Sequence, residues 1–231
     1  MPQVSAELRW FLNATNLNDV DAFDRWFKSE TLSPGGGKRK REDVYAVDPS
    51  TDELGVKNRE GKSGLEVKAL VEPLFFSVEF GTRKAAVQLW SKVTSNILTL
   101  PVGATVRRRT LKTRWLRKFD TANSVATEVE LGAGPFGEDP TQGASPNLGC
   151  NVEWTFVEVP GLVAKWWTFG LEAFAFAQTT PVHSHLEAGL RKTLAAMRTN
   201  LGNSPILGEA WREQSYPTWI RSSYARLPLS G

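Results

Sequence analysis

Six short stretches place charged or polar residues at every second position, with apolar or small residues between them. They are Ser5-Ala6-Glu7-Leu8-Arg9, Lys57-Asn58-Arg59, Glu66-Val67-Lys68, Lys112-Thr113-Arg114, Glu128-Val129-Glu130 and Glu153-Trp154-Thr155. Successive side chains of a strand point to opposite faces, so each stretch has one charged and one apolar face. A sheet assembled from them has a face crowded with Lys, Arg and Glu. That face either meets water or encloses a wet, charged hollow.

The rest of the chain supplies the frame. Residues 3–12 read as a strand, with Val4, Ala6, Leu8 and Trp10 on the face opposite Ser5, Glu7 and Arg9. Residues 16–29 shift to helical spacing through Val20, Phe23, Trp26 and Phe27, with Asn18 as a cap. Residues 33–43, SPGGGKRKRED, read as a loop. Short strands are expected at 44–47, 54–59 and 65–71, the last two joined as a hairpin. Residues 82–99 read as a helix, with Ala86, Leu89, Trp90 and Val93 on one side. Strands follow at 105–120, 125–131, 150–159 and 166–176, with a loop over 132–149 and a Pro-Gly turn between the last two. Residues 181–201 form a helix with a stripe of Leu186, Leu190, Leu194 and Met197. The short connections make most neighbouring strands antiparallel.

Because the repeat recurs in most of the strands and mixes Arg and Lys with Glu, the expected fold is α+β, a closed eight-stranded antiparallel β-barrel with flanking helices, in preference to an open antiparallel sheet with a solvated face. It forms one domain over residues 1–231, with a loop at 30–43 and a C-terminal helix plus tail at 181–231. A chain of 231 residues with 41% hydrophobic content suffices for one such core. Trp10, Trp115, Trp154 and Trp167 belong to that core. The single cysteine, Cys150, excludes an intramolecular disulfide and reads as a packed thiol. No apolar run is long enough for a membrane helix, and the N-terminus lacks a signal-peptide pattern, so a soluble, cytoplasmic protein is expected.

A net charge of +3 is too small to imply nucleic acid, and Lys38 to Arg41 read as a solvated run beside Glu42 and Asp43. Gly35-Gly36-Gly37-Lys38 lacks the spacing of a phosphate loop. His183 and His185, two apart on a helix, do not share a face for a metal.

The chemistry instead follows from the enclosed charges. Like charges confined together raise each other's cost, and a polyanion relieves it. Arg offers phosphate a planar fork, and Lys offers a point charge. Arg9, Lys57, Arg59, Lys68, Lys112 and Arg114 are the candidate phosphate ligands. Glu7, Glu128, Glu130, Glu153 and Glu172 are candidates to hold a divalent cation, Mg²⁺ or Mn²⁺, bridging to phosphate oxygens.

In order along the chain, these motifs resemble the CYTH superfamily, the triphosphate tunnel metalloenzymes. Ser5-x-Glu7-x-Arg9 stands where that family has Glu-x-Glu-x-Lys, so a serine replaces the first carboxylate and an arginine the lysine. Lys57-x-Arg59, Glu66-Val67-Lys68, Lys112-x-Arg114, Glu128-x-Glu130, Glu153 and Glu172 are similar to its later basic and acidic strands. Ser215-Tyr216-Pro217 is similar to its C-terminal Ser-Tyr element. The resemblance implies a triphosphate tunnel and metal-dependent hydrolysis of triphosphate or a related phosphorylated small molecule, with Glu7, Arg9 and Lys68 catalytic. Two other readings stand beside it. One is a tunnel that binds a polyanion without turning it over. The other is an open sheet holding an apolar ligand.

Overall fold

The structure is a computed structural model that describes residues 3–13, 20–21, 23–25, 27, 38–47, 50–60, 64–80, 83–98, 106–131, 146–176, 182–201 and 211–224. Among the described residues there are ten strands: β1 (Gln3–Asn13), β2 (Arg39–Val47), β3 (Leu54–Arg59), β4 (Leu65–Phe80), β5 (Arg83–Ser95), β6 (Val106–Asp120), β7 (Thr127–Val129), β8 (Leu148–Glu158), β9 (Lys165–Ala175) and β10 (Arg212–Glu213). Helix α1 spans Val182–Leu201 and α2 spans Tyr216–Tyr224. The described residues between 20 and 27 are also helical.

Eight strands run β1-β5-β4-β3-β2-β6-β8-β9, and β9 pairs back onto β1. All of these pairings are antiparallel, so the sheet is a closed barrel with no free edge in its circuit. β7 adds to β6 and β10 adds to β1, outside that circuit.

The alternating strands sort their residues as their pattern dictates. Ala6, Leu8 and Trp10 of β1, Val152 and Trp154 of β8, and Phe169, Leu171 and Ala173 of β9 point outward into a shared core. α1 covers this side with Leu186, Leu190, Leu194 and Met197, all at most 3% exposed. Each such side chain stabilises the fold by about 2 kcal/mol through burial. Trp10 stacks on Phe169 at 5.7 Å and on Phe80 at 5.4 Å. Trp167 stacks on Trp154 at 4.5 Å, while its neighbour Trp166 meets Trp219 of α2 edge-on. Cys150 is a buried core thiol, and burial pushes its pKa up to about 12. His183 packs edge-on to Phe75.

α2 is started by Ser215, whose Oγ accepts the Thr218 amide at 3.2 Å. It closes one end of the barrel through a second cluster of Phe11, Tyr45, Val157 and Trp219. The Pro160-Gly161 turn between β8 and β9 is a tight one, with Gly161 at φ +87° and Leu162 donating to the Val159 carbonyl. Among the described residues no helix is long and apolar enough to cross a membrane.

Three boundaries differ from the sequence reading. Residues 83–95, expected within a helix over 82–99, are strand β5. Ala85, Val87 and Leu89 alternate into the core there, while Trp90 takes the opposite face. An apolar side chain on the bore face gives Ala86, Leu89, Trp90 and Val93 their accidental helical spacing. Residues 39–43, expected as loop, are the first half of β2. β4 runs on to Phe80, through register shifts between Leu70 and Phe76. The Gly35–Gly37 run and most of the expected loop over 132–149 lie outside the described residues.

Candidate functional site

The barrel interior is a cavity of about 240 Å³. The inward residues of every strand in the circuit line it. β1 supplies Gln3, Glu7 and Arg9; β2 supplies Arg41 and Tyr45; β3 supplies Gly55, Lys57 and Arg59. β4 supplies Glu66 and Lys68, and β5 supplies Gln88, Trp90 and Lys92. β6 supplies Lys112, Arg114, Leu116 and Lys118; β8 and β9 supply Asn151, Glu153, Glu172 and Phe174. Nine of the lining residues are Lys or Arg and four are Glu. Asp43, fully buried, sits in the wall beneath them.

The charges fall into two zones. Near α2 they are locked together. Asp43 Oδ2 accepts from Lys112 Nζ at 3.0 Å, while Arg41 Nε lies 3.2 Å from Oδ1 and Lys57 Nζ 3.7 Å from Oδ2. Lys112 also donates to the Tyr45 hydroxyl at 2.6 Å and rests 3.7 Å above the Tyr216 ring. Burial alone raises the Asp43 carboxyl, but Arg41, Lys112, Lys57 and Arg59 together hold it well below the usual carboxylate range. Glu153 is gripped by two arginines: Arg9 Nη2 donates to Oε2 at 2.9 Å and Arg114 Nη1 to Oε1 at 2.8 Å. Its pKa is likewise well below normal, because those two cations and Arg41 outweigh burial.

Arg9 reaches Glu153 across a strand, and Gly170 makes this possible. Arg9 and Gly170 are register partners on β1 and β9. A Cβ at position 170 would lie 2.6 Å from Arg9 Cζ. The guanidinium therefore occupies the space of the missing side chain, donates to Thr168 Oγ1 at 2.8 Å and lies 4.7 Å from the Tyr216 ring centre.

Further from α2 the cations are more exposed. Lys68 contacts Glu7, which also accepts from Ser5 Oγ at 2.8 Å. Lys92 Nζ lies 3.9 Å from Glu172. Lys57 and Arg59 share Glu66, at 2.9 Å and 3.2 Å. Arg59, Lys68 and Lys92 side chains are 20–23% exposed, against 1% for Lys112. Burial pulls Lys57 and Lys112 down to about 8, against the raising effect of Glu66 and Asp43 on Lys57 and of Asp43 on Lys112. The Nε atoms of Arg59 and Arg114 are buried without a hydrogen-bond partner, and so is Asn151 Oδ1.

All six candidate phosphate ligands line this one cavity. Arg41, Lys92 and Lys118 join them, unforeseen from sequence. The five candidate metal carboxylates do not converge. Glu7, Glu153 and Glu172 line the cavity, but Glu128 sits on β7, where it accepts from Arg117 Nε at 3.1 Å. Glu130 follows β7 and is exposed. The reason is topological: β7 pairs with β6 but lies outside the closed circuit, so its alternating carboxylates do not face the bore. Of the remaining three, Glu153 is held between two arginines. Glu7 and Glu172 are register partners, each with its own lysine. Burial raises the Glu7 carboxyl, and Glu172 adds to this, against Lys68. Among the described residues no group of three His, Cys, Asp or Glu side chains is placed to hold a metal ion. The carboxylates thus do not fit the five-ligand divalent centre that the motifs imply.

Among solved structures, that of the S. pombe Pct1 RNA triphosphatase in complex with the Spt5 CTD is similar over 87% of this chain and 80% of that one. Identity is 9% and the TM-score is 0.34, too low to bear on fold or function. No family model and no curated protein matches the chain.

Proposed function

We propose that the barrel binds a phosphorylated small molecule, triphosphate or a related polyphosphate, inside its bore. The observation that carries this reading is the imbalance of the lining: among the described residues nine cations line the bore against four glutamates and the buried Asp43, and the Nε groups of Arg59 and Arg114 there have no hydrogen-bond partner. Enclosed cations repel one another more strongly than on an open surface, and an anion of several charges relieves them. Arg59 donates to phosphate oxygens through its fork and Arg114 through the Nε that its bond to Glu153 leaves unpartnered, while Lys68 and Lys92 act as point charges. Arg9 and Arg41 stay engaged with Glu153 and Asp43 and supply field rather than direct contact. The motif order shared with triphosphate tunnel metalloenzymes supports the same class of ligand. Binding in this form requires no metal.

A second reading is hydrolysis of the bound anion with Mg²⁺ or Mn²⁺. The juxtaposition of Glu7 and Glu172 favours it. Calorimetry with inorganic tripolyphosphate, with and without each cation, followed by a phosphate-release assay, separates the two. Saturable, salt-sensitive binding in EDTA without release is the expected result. Release that depends on the cation establishes the hydrolase instead, and no binding to tripolyphosphate under any condition rejects both.

A further inference from the structure

The two sides of the barrel's outer wall are dressed differently. On β8, β9 and β1 the outward residues are large and apolar, and α1 packs over them. Across the circuit, the residues of β3, β4 and β5 that alternate with the bore lining stay at the surface. They are Leu54, Val56 and Asn58 on β3, Val67, Ala69 and Val71 on β4, and Ser91, Val93 and Ser95 on β5. None of the nine is charged, in a chain that is 23% charged. Register aligns them in rows. Ala46 of β2, Val56, Val67 and Val93 are successive cross-strand partners, and so are Leu54, Ala69 and Ser91. Leu74, in the register shift of β4, extends the wall at one end. Ile97 and Leu98 extend it past β5, their amides donating to Ser95 Oγ at 3.3 Å and 3.2 Å. Leu54, Val71, Leu74, Val93 and Leu98 are 39–56% exposed and Ile97 is 91% exposed. Among the described residues, six of the ten large apolar side chains left exposed gather on this wall.

A monomer rarely leaves more than about a few hundred Å² of continuous apolar surface in water. This wall offers an acidic partner no cation to hold, but it is compatible with itself. It carries no charge to repel its own copy, and its Val, Ala and Ser side chains are small enough for two twisted sheets to meet face to face. From Leu65 to Leu74 β4 runs about 30 Å, and the four strands from β2 to β5 span about 15 Å. Each copy then covers on the order of 500 Å², about 1,000 Å² in all, the size at which a specific interface begins. We infer that this wall is the two-fold interface of a homodimer, with β3, β4 and β5 packed on the same strands of a second copy. The contact lies outside the barrel and leaves the bore of each copy unshared. Its modest area makes the dimer an exchanging one, with half-dissociation on the order of 10 μM.

Sedimentation velocity of the native chain between about 1 and 100 μM tests this. The mean mass should climb from 25.6 kDa towards twice that value. Val93→Asp and Val71→Asp each bury an unpaired charge in the contact and should weaken association by about 100-fold or more. Both side chains are half exposed in a single copy, so the fold is retained, which a melting curve checks. Val163→Asp, on the fully exposed connection between β8 and β9, should change nothing. A monomer at every concentration overturns the inference. So does a dimer that both wall variants leave intact, or one that Val163→Asp disrupts as strongly. Flotation of the same samples with neutral phosphatidylcholine vesicles completes the test. Vesicle binding by a chain that does not dimerise, lost in Val93→Asp, assigns the wall to lipid and overturns the inference as well.

Discussion

The two ends of the ionic zone use the same residue types for opposite purposes. Beside α2, Asp43 and Glu153 are each surrounded by two or more cations at hydrogen-bond range, and Lys112 is enclosed by Asp43, Tyr45 and Tyr216. Those groups are shielded, and removing either carboxylate leaves its cations without compensation. Towards the middle of the bore, Arg59, Lys68 and Lys92 are more exposed, and each meets a single glutamate. The first zone holds the barrel's shape. In the proposed function, the second exchanges a carboxylate for an incoming phosphate. Lys112, a phosphate ligand by sequence, therefore belongs to the wall.

The comparison is broken most forcefully at Asp43. Asp43→Asn strands Arg41 and Lys112 in the wall and should lower unfolding stability by about 3–5 kcal/mol, read by urea denaturation. An unchanged midpoint would mean the locked zone is not structural. The mirror experiment is Arg59→Ala. It should weaken tripolyphosphate binding by about 10- to 100-fold, the worth of one to two charge-assisted hydrogen bonds, while shifting the urea midpoint little. A stability loss as large as that of Asp43→Asn would erase the distinction between the zones.

Proton linkage offers a third test. Lys57 and Lys112 titrate near 8 in the fold and near the ordinary 10.5 when unfolded. Below pH 8 both are cationic. As pH rises through 8 the bore loses charge, so tripolyphosphate affinity should fall several-fold between pH 7 and 9. Between about pH 8 and 10 the unfolded chain binds more protons than the folded one at these two lysines, so they make stability rise with pH. Calorimetry and denaturation over this range should therefore move in opposite directions. Parallel trends would contradict the assignment of these lysines.

Gly170→Ala should push the Arg9 guanidinium off β9 and weaken tripolyphosphate binding by a few-fold, with no further loss when Arg9→Ala is added. Independent, additive losses would show that the glycine does not act through Arg9. Smallest of all, Glu128→Gln should leave anion affinity within twofold of native, because its carboxylate faces Arg117 outside the bore.

Much of this site is legible in the sequence, because period-two alternation survives wherever one face is apolar. β1, β3, β8 and β9 were located on that basis, and their inward residues converge. The first half of β2 reads as loop for a physical reason. In Arg39-Lys40-Arg41-Glu42-Asp43 both faces are charged, so alternation leaves no contrast, and Arg41 and Asp43 were invisible as bore residues. Lys92 was hidden with β5, whose inward Trp90 mimicked a helical stripe. Glu128-Val129-Glu130 has the same local pattern as the bore strands. Only its pairing to the outer side of the circuit, a long-range property, separates it from them.

The most direct test is a crystal structure of the protein grown with inorganic tripolyphosphate. The phosphates should lie inside the barrel, within hydrogen-bond distance of Arg59 and Arg114, with Lys68 turned from Glu7 towards them. Phosphate found only on the outer surface, with the Lys68–Glu7 and Arg59–Glu66 pairs intact and the bore holding solvent, would contradict the account.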